Sequence, residues 1–187
     1  MVRTTDQKEK YLPIEKVNNN VYIVRWDYED LYDTVYEETG EVDENGMPIR
    51  IDTGEKVETN LASWTYEYLY FTPSVEYIKN FILDYFNKKI DQKILSGFVW
   101  NDMPVWLSSE NQFNYKAAYD LAIQTQGATL PVTFKFGTAS EPVYYTFTDI
   151  VEFSEFYTQA IAYVNTVLAE GWAKKDAIDW SAYEIKD

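Results

Sequence analysis

The chain contains no cysteine and no histidine among its 187 residues. The first absence excludes disulfides and thiolate nucleophiles, and the two together exclude Cys/His zinc sites, haem held by histidine and every Ser-His-Asp arrangement. Cationic residues are also scarce: 16 Lys and Arg stand against 31 Asp and Glu, for a formal charge of -15. A nucleic-acid backbone would repel such a chain, so nucleic acid is not expected as a partner. No run approaches the ~18 apolar residues of a membrane span, and Met1 to Lys10 is too polar for a signal peptide; neither export nor membrane insertion is expected. The missing cysteines do not themselves indicate a compartment.

Apolar residues, by contrast, make up 46% of the chain and aromatics 18%, with 17 tyrosines. That is enough for a real core in one compact unit or two small ones, with amphipathic rings left over for half-buried sheet faces and contact surfaces. Charge is unevenly spread. From Asp27 to Glu58 twelve acidic residues face only Arg50 and Lys56.

Val21 to Trp26 and Trp64 to Phe71 flank this acidic stretch, and their β-branched and aromatic composition predicts an antiparallel hairpin. Between them Gly40, Asn45-Gly46, Pro48 and Gly54 predict a partly ordered β-excursion, with Met47 to Asp52 as a turn and edge strand. Thr72-Pro73 reads as a helix cap and first residue. Val75, Ile78, Ile82, Tyr85, Phe86 and Ile90 then give a buried stripe that reaches about Leu95, with Gly97 as the stop.

Phe98–Trp100 and Met103–Leu107 predict a hairpin around Asn101-Asp102, with Pro104 on an edge. Ser108-Ser109 followed by Gln112 starts a second helix, which should run to Gly127. Val132–Phe136 and Val143–Phe147 give the clearest hairpin. Thr148 is the expected cap of a last helix, with Asp149 and Glu152 in its first turn. Its core face is read as Ile150, Phe153, Tyr157, Ile161, Val164 and Leu168. The fold class is therefore α+β: an N-terminal antiparallel β-hairpin region over residues 1–72, then an α-ββ-α-ββ-α unit over residues 73–187.

No pattern selects a catalytic group. Asp43-Glu44-Asn45-Gly46 resembles an acidic calcium loop but lacks the bidentate glutamate at the required distance, which leaves a solvated turn and no metal. Glu110, Asp120, Glu152 and Glu155 are carboxylates without anything to pair them as glycosidase residues. Trp64, Trp100, Trp106, Tyr115 and Tyr119 could stack on sugars or on a neighbouring subunit, or fill the core.

The runs Ser96-Gly97-Phe98-Val99-Trp100, Val105 to Tyr115 and Phe134-Lys135-Phe136-Gly137 sit inside residues 94–180. This region resembles a phage-associated domain of unknown function from tail-fibre-region proteins of phages and prophages, as in small proteins of gut Bacteroidales phages. The resemblance is one of packing pattern, brings no active site with it, and leaves the acidic stretch outside. It implies a structural component of a bacteriophage virion, tail- or fibre-associated, made in the bacterial cytoplasm and held by contacts with other virion proteins. No enzymatic activity and no cofactor are expected.

The docking surface expected from the residues themselves is a sheet edge carrying Val21, Ile23, Trp26, Trp64, Tyr66, Tyr68 and Tyr70, whose unpaired backbone groups another chain could extend. Two other functions remain open from sequence. One is an acidic DNA-mimic inhibitor of a host protein, and the other is a carbohydrate-binding receptor module directed at host-surface glycan.

Overall fold

A strand opens the chain where the sequence looked merely polar. In the computed structural model, which describes residues 1–185, β1 (Val2–Gln7) is followed by a 3-10 turn (Lys8–Lys10), β2 (Ile14–Asn18), β3 (Val21–Val42) and β4 (Pro48–Leu69). They form an antiparallel sheet in the order β1-β4-β3-β2. The hairpin expected between the two aromatic segments is present, with Tyr22 opposite Leu69 and Trp26 opposite Thr65.

Two expectations about this region are corrected. The acidic excursion is ordered along its length rather than in part: β3 and β4 stay paired to Val42 opposite Pro48, with only the Asp43–Met47 turn between them. Over the aromatic segments at its base neither β3 nor β4 is an edge, because β1 pairs with β4 from Leu61 to Tyr66 and β2 with β3 from Val21 to Val24. The sequence conceals β1 because Thr4, Thr5 and Asp6 are polar, and its place is set by pairing, from Val2 opposite Tyr66 to Gln7 opposite Leu61.

Helix α1 (Val75–Ser96) follows. The Ser74 hydroxyl accepts from the Tyr77 N–H at 3.1 Å, so Ser74 rather than Thr72 caps it and Pro73 stands just outside. Ile78, Ile82, Phe86, Ile90 and Ile94 are its buried stripe, spaced four apart.

After α1 come β5 (Phe98–Trp100) and β6 (Met103–Val105), joined by Asn101 and Asp102, both with positive φ as the primed two-residue turn requires. Helix α2 (Ser109–Gln124) is capped by the Ser108 hydroxyl, which accepts from Asn111 N–H at 3.2 Å. It stops three residues before Gly127. β7 (Val132–Gly137) and β8 (Pro142–Phe147) form the expected hairpin, with Phe136 opposite Val143. Asp149, not Thr148, caps α3 (Ile150–Asp176): one carboxylate oxygen accepts from Val151 and Glu152 N–H at 2.8 and 3.1 Å.

The fold is thus α+β, an antiparallel sheet followed by helix, hairpin, helix, hairpin and helix. Contacts divide the chain into unit 1, Met1–Asn80 together with the described residues from Asp179 onward, and unit 2, Phe81–Ile178. The division lies inside α1 rather than at Thr72-Pro73, and the C-terminal segment rejoins the first unit. There the Tyr183 hydroxyl donates to the Arg25 carbonyl at 2.8 Å.

The core of unit 2 is aromatic. Phe136, Phe147, Phe153 and Phe156 are all at most 2% exposed and contact one another through rings 4.9–6.4 Å apart. The buried face of α3 is Phe153, Phe156, Ala160, Val167 and Gly171, while Tyr157, Val164 and Leu168 lie at its margin. The expected face was therefore turned by about one residue. Gly171 has a packing reason: a Cβ there would lie 2.2 Å from Ile90 Cδ1, so its lack of a side chain lets α1 and α3 approach.

Burial raises the hydroxyl pKa of Tyr115 to about 12 and also pushes that of Tyr183 well above the ordinary tyrosine value of 10.0. A tyrosine that resists ionisation in the folded state contributes stability that is complete below pH 10 and is lost as pH rises through the folded pKa. Unfolding free energy should therefore hold up to about pH 10 and fall between pH 10 and 12. Tyr115→Phe should flatten that fall in denaturant titrations; an unchanged alkaline slope would contradict the assignment.

Candidate functional site

Unit 1 presents two surfaces for contact. The first is a β-arm. β1 pairs with β4 only as far as Leu61 and β2 with β3 only over Val21–Val24, so from Tyr32 opposite Glu58 outward β3 and β4 have only each other. At ~3.3 Å per residue this two-stranded ribbon extends roughly 35 Å. Both faces carry exposed apolar groups, including Tyr32, Tyr36, Val42, Ile51 and Val57, each more than half exposed.

A repeated local device holds the arm in shape. In Thr39-Gly40-Glu41 the Thr39 hydroxyl donates across the ladder to the Ile49 carbonyl at 3.1 Å and accepts from Glu41 N–H at 3.2 Å. Thr53-Gly54-Glu55 repeats it against the Val35 carbonyl at 2.9 Å, and Thr59 against the Leu31 carbonyl at 2.8 Å, with Leu61 N–H returning the bond. Gly40 and Gly54 take φ of +81° and +77°. Each device coincides with a register shift between the strands, that is, a β-bulge that twists the ribbon and hinders flat edge-to-edge pairing.

Charge is neutralised at the base of the arm and left bare toward its tip. Arg3 binds Asp27 at 3.0 Å and Glu29 at 2.6 Å, and Lys8 binds Asp30 at 2.7 Å and also Glu58. The Lys8 ammonium holds the Asp30 carboxyl below its usual range, and the two carboxylates in turn raise Lys8. Farther out, among the described residues, only Glu38 and Arg50 pair, at 3.1 Å.

At the tip Asp43 accepts from Asn45 and Met47 N–H at 2.8 and 2.9 Å, which lowers its pKa and makes the sequence a side-chain-capped turn. A glutamate-specific protease should cut first at Glu44 in this turn. Mass mapping of early fragments checks this, and a first cut outside residues 37–56 would contradict it.

The second surface is a shallow concavity of about 410 Å³ on one face of the sheet, where Ile23, Trp64, Tyr66 and Tyr68 meet Arg25 and Leu12. Four of the seven residues expected at a docking edge thus come together, but on a sheet face rather than an edge. Tyr68 is 41% exposed, and its ring stands edge-on to that of Tyr66 at 5.8 Å. Trp64 is buried beneath, against Tyr11 at 5.5 Å.

Trp26 belongs to the other face, where Tyr22, Val24 and Trp26 alternate as buried residues. Val21 begins β3 at its pairing with Asn18, and Tyr70 lies beyond the end of β4, strongly exposed. The arm's exposed tyrosines were missed because acidic neighbours and bulges hid their strand.

The other singled-out residues are explained by local contacts. Trp100 and Tyr115 are core residues, Tyr119 stacks on Tyr157 at 4.5 Å, and Trp106 is half exposed. Asp120 pairs with Lys116 at 2.5 Å, Glu152 accepts from the Tyr145 hydroxyl, and Glu155 accepts from Gln159 at 3.1 Å. Among the described residues no three Asp or Glu gather as a metal site, and no helix is long and apolar enough to cross a membrane.

Residues 78–187 match the model of a family described as a domain of unknown function, DUF4376. No curated protein and no solved structure gives a match.

Proposed function

The chain belongs to the DUF4376 family, and from that premise we propose that it is a non-enzymatic structural component of a bacteriophage virion, associated with the tail or its fibres. It holds its place there through contacts between the unit 1 arm and other virion proteins. The observation that carries this reading is the arm itself: two paired strands that continue past their sheet and expose tyrosine and aliphatic side chains on both faces. An exposed ribbon of this kind buries little of its own surface, and a neighbouring subunit can bury it by packing on a face or extending an edge. The phage setting rests on the sequence resemblance over residues 94–180.

The test has two arms. Purified particles of the parent phage should contain the chain by mass spectrometry. A variant in which Asn-Gly replaces residues 37–51, joining the opposed pair Tyr36 and Asp52 by a two-residue turn, should keep its thermal transition and be lost from particles. Absence of the natural chain from particles would overturn the reading. Normal incorporation of the shortened variant would move the interface off the arm.

A further inference from the structure

We propose that unit 2 carries a binding site for a neutral saccharide of one or two rings, in the cavity between the unpaired edges of its two hairpins with Trp106 as the stacking platform. The cavity measures about 770 Å³, within the range of small-ligand sites. It is lined from β6 and β7 and from neither β5 nor β8. β6 and β7 belong to separate two-stranded sheets, so the cavity meets the side of each strand whose backbone N–H and C=O groups have no ladder partner.

The lining chemistry suits a sugar. Trp106 stands 51% exposed in a core otherwise filled with buried rings, and offers a flat apolar face for pyranose C–H groups. Its backbone is anchored, because the Asn111 carboxamide donates to the Trp106 carbonyl at 2.7 Å.

Phe134, Phe136 and Tyr115 also line the cavity, and the Tyr115 ring stands edge-on to that of Phe134 at 4.8 Å. Tyr115 is 3% exposed; its hydroxyl makes no hydrogen bond among the described residues, and burial alone accounts for its raised pKa. The Tyr115 hydroxyl is not among the buried polar atoms that lack a partner, so the ring is buried while its oxygen stays open to the cavity, a donor and acceptor available to whatever enters. Asn114 and Thr138 add a carboxamide and a hydroxyl at the wall.

Charge settles the ligand class. In a chain of net charge -15 no aspartate or glutamate among the described residues lines this cavity, and Lys135 is the one cationic residue that does. A cation finds no counter-charge there and an anionic ligand finds one ammonium without a guanidinium or second lysine to support it, whereas hydroxyl groups find partners in Asn111, Asn114, Thr138 and Tyr115.

The full chain should be titrated with cellobiose, maltose and N,N′-diacetylchitobiose, followed by tryptophan emission and amide NMR shifts. At least one should saturate with a Kd on the order of mM and shift amides of residues 134–138. Trp106→Ala should weaken that binding at least about tenfold without moving the thermal transition, since the ring is half exposed. Tyr115→Phe should weaken it several-fold. Trp172→Ala, which removes another exposed ring outside the cavity, should leave it intact.

Failure of all three sugars to saturate by ~50 mM, well above that range, would overturn the proposal, as would binding that survives Trp106→Ala. Displacement of the sugar by a capped peptide of alternating threonine and valine, bound more tightly, would assign the open β7 edge to a polypeptide instead. Particle incorporation enters none of these readouts, so this proposal and the virion reading fail separately.

Discussion

Replacing Phe136 with alanine should lower the unfolding free energy by about 3–5 kcal/mol, whereas Lys135→Ala should change it by no more than about 0.5 kcal/mol. Phe136 is 2% exposed, and its ring lies 5.3 Å from Phe156, 5.8 Å from Tyr145 and 6.3 Å from Phe147. Truncation removes buried apolar surface at the meeting point of the β7–β8 hairpin and α3, where neighbouring rings are too rigid to collapse into the space. Lys135, one residue earlier on the strand, is exposed and faces the other way. Denaturant midpoints of the two variants decide the matter; near-equal shifts would mean the register of β7 is wrong.

Trp26→Ala should cost unit 1 a similar ~3–5 kcal/mol. The side chain is 1% exposed, on the strand face where Tyr22 and Val24 are also buried, and β3 is flanked by strands on both sides. Tyr68→Ala, by contrast, removes a 41% exposed ring and should cost less than about 1 kcal/mol. Hydrogen exchange separates the two: amides of β1–β4 should lose protection in the first variant and keep it in the second. A stable Trp26→Ala protein that merely fails to bind its partner would return Trp26 to the interface.

These two residues mark where sequence was sufficient and where it was not. The β7–β8 hairpin was legible because alternation holds through both arms without interruption, and β5–β6 because Asn-Asp supplies the turn. The long β3–β4 ribbon was not. Its apolar members are diluted by carboxylates, and the bulges at Thr39-Gly40, Thr53-Gly54 and Thr59 shift the two-residue period three times, so the outer strands looked like turns.

Trp26 and Trp64 were recognisable as strand residues, but the sheet order was not, because the covering strands β1 and β2 are polar and short. On α3 the apolar residues are so dense that two faces fit the periodicity. The packing of Gly171 on Ile90, which only the fold reveals, selects the one containing Phe156. The helix starts were misplaced by one or two residues where two capping side chains adjoin, Thr148 with Asp149 and Thr72 with Ser74. For the cavity, Trp106 and Tyr115 could be named as aromatics, but the opening between β6 and β7 depends on two hairpins failing to join into one sheet.

The return of the C-terminal segment to the first unit has a consequence for synthesis. Tyr183, 4% exposed, donates to the carbonyl of Arg25, a group made early, while the whole of unit 2, roughly 100 residues, is translated in between. At ~5–20 residues per second the ribosome takes on the order of five to twenty seconds to deliver that last contact. During this interval the nascent N-terminal sheet lacks its final piece. Unit 2, by contrast, is contiguous in the chain and can complete itself as it emerges, so it is unit 1 that is exposed to chaperones and proteases for longer.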